Sequence, residues 1–426
     1  EEVELALMEA TWKSAFRWRL PRPDLSNVGL WAIAAGHALN HGISAAFTLL
    51  LPFLAKDLGL SFVQVGLLVG MRQVMSMVVN LPAGVLVDSL GHRERLMATS
   101  LAATILPYGV VLAHPSFYTL LACQAVVGFG MFLWHPAAIT SLSTRYPDRR
   151  GYGLALHEVG ANLGDTLAPL AAGVLLALLP WTGVLAVHVA VSAVLAGVLL
   201  LALRAPTGVD PPPAREHRPR ASLRGLGLTL RNPALLVLAL VSGVRSLTQN
   251  GLNTFLPLYL VYSLHLPAPL LGLYMTLVQA SGLVATPIAG TLSDRIGPKR
   301  VATVGMTTTS LAVLAAVLLG ATPAFVLVLA VLGFFLYSMR PALFRWAIGV
   351  VPRQHEGTTV GLLFTAQSVF SALTPVAGGA VADRFGLVVV FYAIAGSVLV
   401  GNALLRWVPD LNKREGDEST PHHPRS

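Results

Sequence analysis

The chain has 426 residues, of which 54% are hydrophobic and only 12% are charged, and its mean hydropathy is +0.68. Soluble domains carry about a quarter charged residues, so this composition excludes an ordinary soluble enzyme. The formal net charge of +9 does not indicate a nucleic-acid partner, because Lys and Arg of membrane proteins collect in cytoplasmic loops. The sequence therefore predicts an all-α integral membrane protein.

Long apolar runs broken by Pro, Gly or charged residues predict twelve membrane-spanning helices. The first six lie near 28–54, 62–88, 96–114, 117–143, 151–178 and 183–203. The second six lie near 233–262, 268–293, 301–320, 323–350, 357–382 and 387–407. The predicted organisation is a six-helix bundle over 28–203 followed by a second over 233–408.

Polar segments flank and join the two predicted bundles. Residues 204–232 contain three consecutive prolines and several arginines, which is typical of a cytoplasmic linker. Residues 1–27 are predicted to be a cytoplasmic N-terminal segment, either an interfacial helix or a frayed tail. Residues 409–426 are predicted to be a cytoplasmic tail.

The distribution of basic residues predicts the orientation. Of the 29 Lys and Arg residues, only Lys56 and Arg384 fall in the connections that face away from the N-terminus. Because Lys and Arg concentrate on the cytoplasmic side, both termini are predicted to be cytoplasmic, and the location is predicted to be the plasma (inner) membrane.

The two halves carry an internal duplication. The segment 84–93, GVLVDSLGHR, matches 290–299, GTLSDRIGPK, at Gly, Leu, Asp and Gly with an offset of 206 residues. The same offset relates Gln73 to Gln279. Parallel repeats of this kind predict two halves related by a pseudo-twofold axis along the membrane normal, with a cavity between them. The chain contains no phosphate-binding loop and no catalytic motif, so the repeat predicts a transporter and not an enzyme.

The repeated segment resembles the loop signature of the major facilitator superfamily. Within that superfamily, His37 with Asn40, His135 before a proline, and Arg245 resemble the fosmidomycin-resistance type of drug exporter. The resemblance implies the twelve-helix major facilitator fold with alternating access. One position departs from that type, because His41 follows Asn40 where an acidic residue is usual.

The resemblance also implies a conformational gate at the two copies of the signature. Asp88 and Asp294 would each pair across a helix interface and hold the outward-open state. The alternative is that a helix-ending Asp before a glycine turn has no special role. The predicted gate residues are Gly84, Asp88, Gly91, Arg93, Asp294, Arg295 and Gly297.

Two acidic residues lie in the fifth predicted span. Glu158, Asn162 and Asp165 follow helical spacing and share one face. An ionisable side chain near the bilayer centre costs about 2.5–3.5 kcal/mol, so it tends to face a cavity and to have a function. We therefore expect Asp165 and Glu158 to carry a proton and Asn162 to contact substrate, unless the acids form structural ion pairs with arginines.

Arg72 and Arg245 lie near mid-membrane in opposite halves. A guanidinium offers a planar pair of donors that suits phosphonate, phosphate or carboxylate groups, so both are predicted to bind an anionic substrate. The alternative is that each neutralises an acid of the fifth span. Arg345 is expected to extend toward lipid headgroups. Further predicted substrate-binding residues are Asn40, His135, Gln249, Arg340 and Gln367.

His37 and His41 are four residues apart on one face of the first span. Histidine titrates near neutral pH, so the pair is predicted to take part in proton handling, with helix packing as the alternative. The spacing can bind a metal ion, but no acid or Cys accompanies it locally. The sequence therefore predicts no metal site.

These patterns favour a monomeric secondary transporter without a cofactor, whose partners are protons, the lipid bilayer and a small anionic or amphipathic molecule. Proton-coupled export of a drug or metabolite is the preferred direction. An organic-anion uptake symporter or exchanger, and a lysolipid transporter or flippase, remain alternatives. The missing catalytic motifs disfavour a membrane enzyme or receptor.

Overall fold

The structure is a computed structural model. It describes residues 27–90, 92–146, 149–203, 231–320, 322–352 and 355–410. The possible interfacial helix, nearly all of the predicted linker, most of the predicted tail and Gly91 lie outside this part of the chain. The side chain of Asp88 is also outside what the structure describes.

The described residues form thirteen α-helices and no strand. The N-terminal half comprises α1 (Val28–Asp57), α2 (Phe62–Leu90), α3 (Arg93–Ile105), α4 (Pro107–Ala113), α5 (Phe117–Arg145), α6 (Arg150–Leu175) and α7 (Trp181–Leu203). The C-terminal half comprises α8 (Pro233–Tyr262), α9 (Ala268–Ile296), α10 (Pro298–Leu319), α11 (Ala324–Gly349), α12 (Glu356–Phe385) and α13 (Leu387–Leu404), followed by a short 3₁₀ turn. Helices α3 and α4 together form the third predicted span, interrupted before Pro107, which has no backbone N–H to donate.

Eleven helical segments of the described chain are long and apolar enough to cross a membrane, which confirms the predicted all-helical membrane architecture. The fifth predicted span, α6, is not among them. It has 26 residues and is long enough, but it carries Arg150, Glu158 and Asp165. The polarity of α6 therefore sets it apart from the other predicted spans.

Small residues bring α6 very close to α1. A Cβ atom added at Gly160 would lie 2.1 Å from the carbonyl oxygen of Ala34, and one added at Gly164 would lie 2.2 Å from that of Ala38. Only glycine permits this approach, which is typical of helix pairs in membranes. The close packing brings Asp165 of α6 within reach of α1.

The two halves contact each other at the far end of the bundle, defined here as the end where α1 finishes and α2 begins. Both carboxylate oxygens of Asp383 on α12 accept backbone N–H groups at the start of α2, from Phe62 at 2.8 Å and Val63 at 2.9 Å. The Tyr262 hydroxyl donates to the Pro52 carbonyl across the same interface. These contacts close the space between the halves toward the far end.

Candidate functional site

A cavity of about 290 Å³ lies between the two halves. Its polar wall residues from the N-terminal half are His41, Ser44, Thr48, Arg72, Gln73, His135 and Asp165. Those from the C-terminal half are Gln249, Asn250, Asn253, Thr254 and Gln279. Five of the predicted site residues therefore share one cavity: His41, Arg72, His135, Asp165 and Gln249.

An acid and a histidine are paired on the cavity wall. Nδ1 of His41 on α1 lies 2.9 Å from Oδ2 of Asp165 on α6. The prediction placed Asp165 at mid-membrane with either a proton-carrying role or an arginine partner. In the structure the hydrogen-bond partner of Asp165 is His41 of the neighbouring helix. His41 is also the position at which the sequence departs from the exporter pattern.

Arg72 on α2 lines the same cavity and donates a hydrogen bond to the hydroxyl of Ser44 on α1. A guanidinium has five N–H donors, and its planar geometry suits an anionic acceptor. Ser44 was not predicted to be a site residue. It lies three residues after His41, so α1 presents both partners to the cavity.

A cluster of histidines lies behind and beside the cavity wall. Nδ1 of His37 lies 2.8 Å from the carbonyl oxygen of His157, and the two rings stack with centroids 3.7 Å apart. The indole N–H of Trp134 donates to Nε2 of His157. The His135 ring faces that of His37 edge-on, with centroids 5.0 Å apart. The cluster joins α1, α5 and α6.

The C-terminal half contributes a different kind of wall. Arg245 is 3% exposed and donates to Oε1 of Gln249, and Gln249 rather than Arg245 lines the cavity. Gln279 on α9 accepts a hydrogen bond from the Tyr337 hydroxyl on α11. Arg245 therefore lies behind the cavity wall, and its predicted anion contact stays a prediction.

Two wall residues that sequence reasoning missed are the duplicated glutamines. Nε2 of Gln73 donates to Oδ1 of Asn250 at 3.1 Å, so this pair joins α2 to α8 across the two halves. Gln279, its counterpart in the repeat, lines the same cavity. The signal was present in the 206-residue register, since a polar side chain repeated at mid-span is expected to face the cavity between the repeats.

Several predicted residues lie outside the cavity wall. The side chain of Glu158 is 67% exposed, and the Asn162 amide donates to the Glu158 carbonyl oxygen on its own helix. Gln367 is buried and donates to the Ser242 hydroxyl inside the C-terminal half.

Two further predicted residues differ in their exposure. Asn40 is 1% exposed, and its amide has no hydrogen-bond partner in the described part of the chain. The exposed Arg340 lies about 6 Å from the rings of Phe344 and Phe364.

The structure describes part of the predicted gate. Asp294 pairs with Arg345 of α11 at 2.9 Å, which is a contact within the C-terminal half. Arg345 also donates to the Ser293 carbonyl oxygen, so it contacts two residues of α9. Its extension toward lipid headgroups stays a prediction.

The remaining gate residues have separate environments. Arg93 donates to Thr144 at 2.5 Å, and Arg295 is exposed. Gly297 ends α9 with a φ of +89°, a backbone conformation that favours glycine. Gly84 lies within α2.

Comparison with known proteins shows that this chain is similar to membrane transporters. The model of the Major Facilitator Superfamily matches residues 33–267 and 238–424. The MFS-type transporter YfnC of Bacillus subtilis is 26% identical over 372 residues, which cover 86% of this chain and 89% of YfnC. The fosmidomycin resistance protein of Escherichia coli is 29% identical over 151 residues, covering 35% of this chain and 36% of that protein.

Among solved structures, a bacterial homologue of the human lysosomal transporter Spinster, in an inward-facing and unoccupied conformation, superposes with a TM-score of 0.79. The superposition covers 94% of this chain and 99% of that one, at 17% sequence identity. At this identity the similarity concerns the fold.

Proposed function

The chain belongs to the major facilitator superfamily, and from that premise we propose that it exports a small anionic or amphipathic molecule in exchange for protons. Membership of the superfamily makes it a membrane transporter and not an enzyme. Its substrate, its direction and its coupling ion are the subject of the proposal.

The observation that carries the proposal is the guanidinium of Arg72 in a cavity otherwise rich in neutral donors. The Arg72 side chain is held by Ser44, and the amides of Asn250, Asn253 and Gln279 line the opposite wall. A charge-assisted bond from a guanidinium is about twice as strong as a neutral one, and its planar geometry matches phosphonate and carboxylate oxygens. Partial similarity to a fosmidomycin resistance protein supports a phosphonate as the first ligand to test.

Alternating access is supported by the contacts between the halves. Asp383 and Tyr262 join the halves at the far end of the bundle, beyond the cavity. For substrate to leave by the far end, these contacts have to break while the halves approach each other elsewhere. Rigid-body rocking of two repeats about a central site is the general mechanism for such transporters.

Proton coupling is proposed to reside on Glu158. Asp165 is hydrogen-bonded to His41, and we assign it a role in orienting that ring on the cavity wall. Glu158 lies seven residues earlier on the same face, about 10 Å along the helix axis. Its carboxylate is exposed and 4.0 Å from Nδ1 of His157. This exposed carboxylate lies outside the cavity wall and can exchange a proton with water on one side before the halves move.

The remaining assignments follow from the distribution of charge. We propose that both termini and the 204–232 linker are cytoplasmic in an inner membrane, since nearly all Lys and Arg outside the spans would then face the cytoplasm. We propose that the monomer is the functional unit, because the cavity is built entirely from one chain.

The test is transport of the phosphonate fosmidomycin into proteoliposomes with an imposed pH gradient of either sign. The proposal expects accumulation against the phosphonate gradient only when protons flow in the opposite direction, and at least a tenfold lower rate for Arg72→Gln. Accumulation that follows proton entry would establish a symporter and overturn export. Flipping of a labelled lysophospholipid without phosphonate movement would overturn the substrate class.

A further inference from the structure

Three histidine side chains from two helices converge beside the cavity. His37 and His41 lie on α1 and His135 lies on α5. One potential ligand nitrogen from each ring lies within 4.8 Å of those of the other two. The rings of His37 and His41 are edge-on with centroids 4.7 Å apart. His41 and His135 also line the cavity, so the cluster is accessible from it.

The hydrogen bonds of these histidines determine which nitrogen is available. Nδ1 of His37 contacts the His157 carbonyl at 2.8 Å, and Nδ1 of His135 contacts the Met131 carbonyl at 3.0 Å. A carbonyl oxygen can only accept, so Nδ1 of both rings must donate the proton, and Nε2 of the neutral ring carries a lone pair. Nδ1 of His41 faces the Asp165 carboxylate in the same way.

This arrangement matches the hydrogen bonding of histidines that bind a metal ion. Metal-binding histidines donate the N–H that is not at the metal to a carbonyl or a carboxylate, which orients the ring and raises its basicity. All three rings of the cluster have such an acceptor at Nδ1. A fourth histidine, His157, differs because its Nε2 already accepts the Trp134 N–H, so it is excluded as a ligand through that atom.

An unsatisfied atom points to a missing ligand. His37 is 1% exposed, and its Nε2 has no hydrogen-bond partner in the described part of the chain. A buried acceptor without a partner destabilises the folded state, because it has lost its hydrogen bonds to water. A cation placed among the three rings would satisfy it.

We propose that His37, His41 and His135 bind a divalent first-row transition-metal ion through their Nε2 atoms. Imidazole nitrogens suit Zn²⁺, Ni²⁺ and Cu²⁺, and Co²⁺ serves as a spectroscopic probe of the same site. Zn–N bonds of about 2.0–2.1 Å put tetrahedral ligand atoms about 3.3 Å apart, so ligand atoms that lie within 4.8 Å of one another have to move at most about 1.5 Å closer. Because His41 and His135 line the cavity, we propose that water or an oxygen of an anionic molecule supplies the fourth ligand.

The sequence predicts no metal site at this place because only the His37–His41 pair is local. The third ligand comes from α5 and the supporting acid, Asp165, from α6, so neither is visible from the spacing within α1. The metal site is independent of the proposed transport function, because binding of the ion alone requires no movement of substrate or protons.

The test is binding of Co²⁺ to the purified full-length chain after treatment with a chelator. We expect one equivalent of Co²⁺, visible absorption typical of tetrahedral coordination, and its displacement by Zn²⁺. His135→Ala and, separately, His41→Gln are expected to weaken binding at least tenfold. His188→Ala is the matched control, because Nδ1 of His188 contacts the Val184 carbonyl at 2.9 Å as His135 contacts Met131, but His188 lies on α7 outside the cluster.

Two outcomes would overturn the site. In the first, the wild-type chain is equilibrated with about 10 µM Zn²⁺ and dialysed, and it retains less than 0.2 equivalents of Zn²⁺. This concentration of free Zn²⁺ detects sites far weaker than structural zinc sites. The second is an equal loss of binding in His188→Ala and His135→Ala. The wild-type measurement decides the question even if the cluster variants fold poorly.

Discussion

The two walls of the central cavity differ in chemistry although they come from repeats of one pattern. The N-terminal wall contains all four ionisable cavity residues, His41, Arg72, His135 and Asp165. The C-terminal wall contains amides and a hydroxyl, and its own arginine, Arg245, is buried behind Gln249. The duplication has therefore preserved the helical framework of the cavity, while its ionisable side chains are concentrated in the N-terminal half. We infer that the N-terminal half carries coupling and anion binding, and that the C-terminal half shapes the substrate pocket.

The largest expected effect separates the two arginines. Arg72→Gln is expected to weaken phosphonate binding about 10- to 100-fold, because hydrogen bonds to charged groups are worth about 1.5–3 kcal/mol. Arg245→Gln is the matched change in the other half and is expected to cost less than about fivefold. Thermal stabilisation of the purified protein by fosmidomycin measures both. Equal losses would remove the proposed asymmetry between the walls.

The contact at the far end provides a second test. Asp383→Ala removes both acceptors at the start of α2, so the population open to the far end is expected to rise about tenfold. Labelling of Thr48→Cys in a Cys123→Ser background by an impermeant maleimide from that side measures the population. Asp57→Ala is the control, since Asp57 accepts from Trp181 within one half. Similar labelling of the two variants would contradict a role of Asp383 in closure.

Substitutions on the C-terminal wall are expected to have intermediate effects. Asn253→Ala and Gln279→Ala each remove a neutral hydrogen-bonding group from the cavity, worth about 0.5–1.5 kcal/mol. We expect KM for the transported phosphonate to rise about 3- to 10-fold with little change in the ratio of protons to substrate. A changed ratio would place coupling chemistry on the C-terminal wall as well.

The smallest expected effect concerns the repeated loop signature. Asp294→Asn breaks the pair with Arg345, but the Asp294 side chain is 68% exposed and the pair lies within one half. Exposed ion pairs contribute about 0–1 kcal/mol. We expect a thermal midpoint within about 2 °C of wild type and transport within twofold. A tenfold loss of transport would restore Asp294 to the gate role that the resemblance implies.

Much of the fold and part of the site could be predicted from the sequence. Apolar runs and the 206-residue register predict the spans and the cavity between the repeats, and mid-span charges such as Arg72 and Asp165 do line it. The partners from other helices could not be predicted. The His41–Asp165 pair depends on two glycines of α6 packing against α1.

This contact joins residues 124 positions apart and follows from how helices pack, which local periodicity does not encode. The histidine cluster shows the same limit. His135 is distant in sequence from His37 and His41, and only the packing of α5 against α1 brings the three rings together.

The most direct test of the account is proton movement during substrate movement. Proteoliposomes containing an internal pH dye, with no imposed gradient, would receive external fosmidomycin. We predict an internal pH change that requires both phosphonate and protein, and its loss in Glu158→Gln while phosphonate exchange continues. Phosphonate transport by the wild-type protein without any accompanying proton flux would contradict the account.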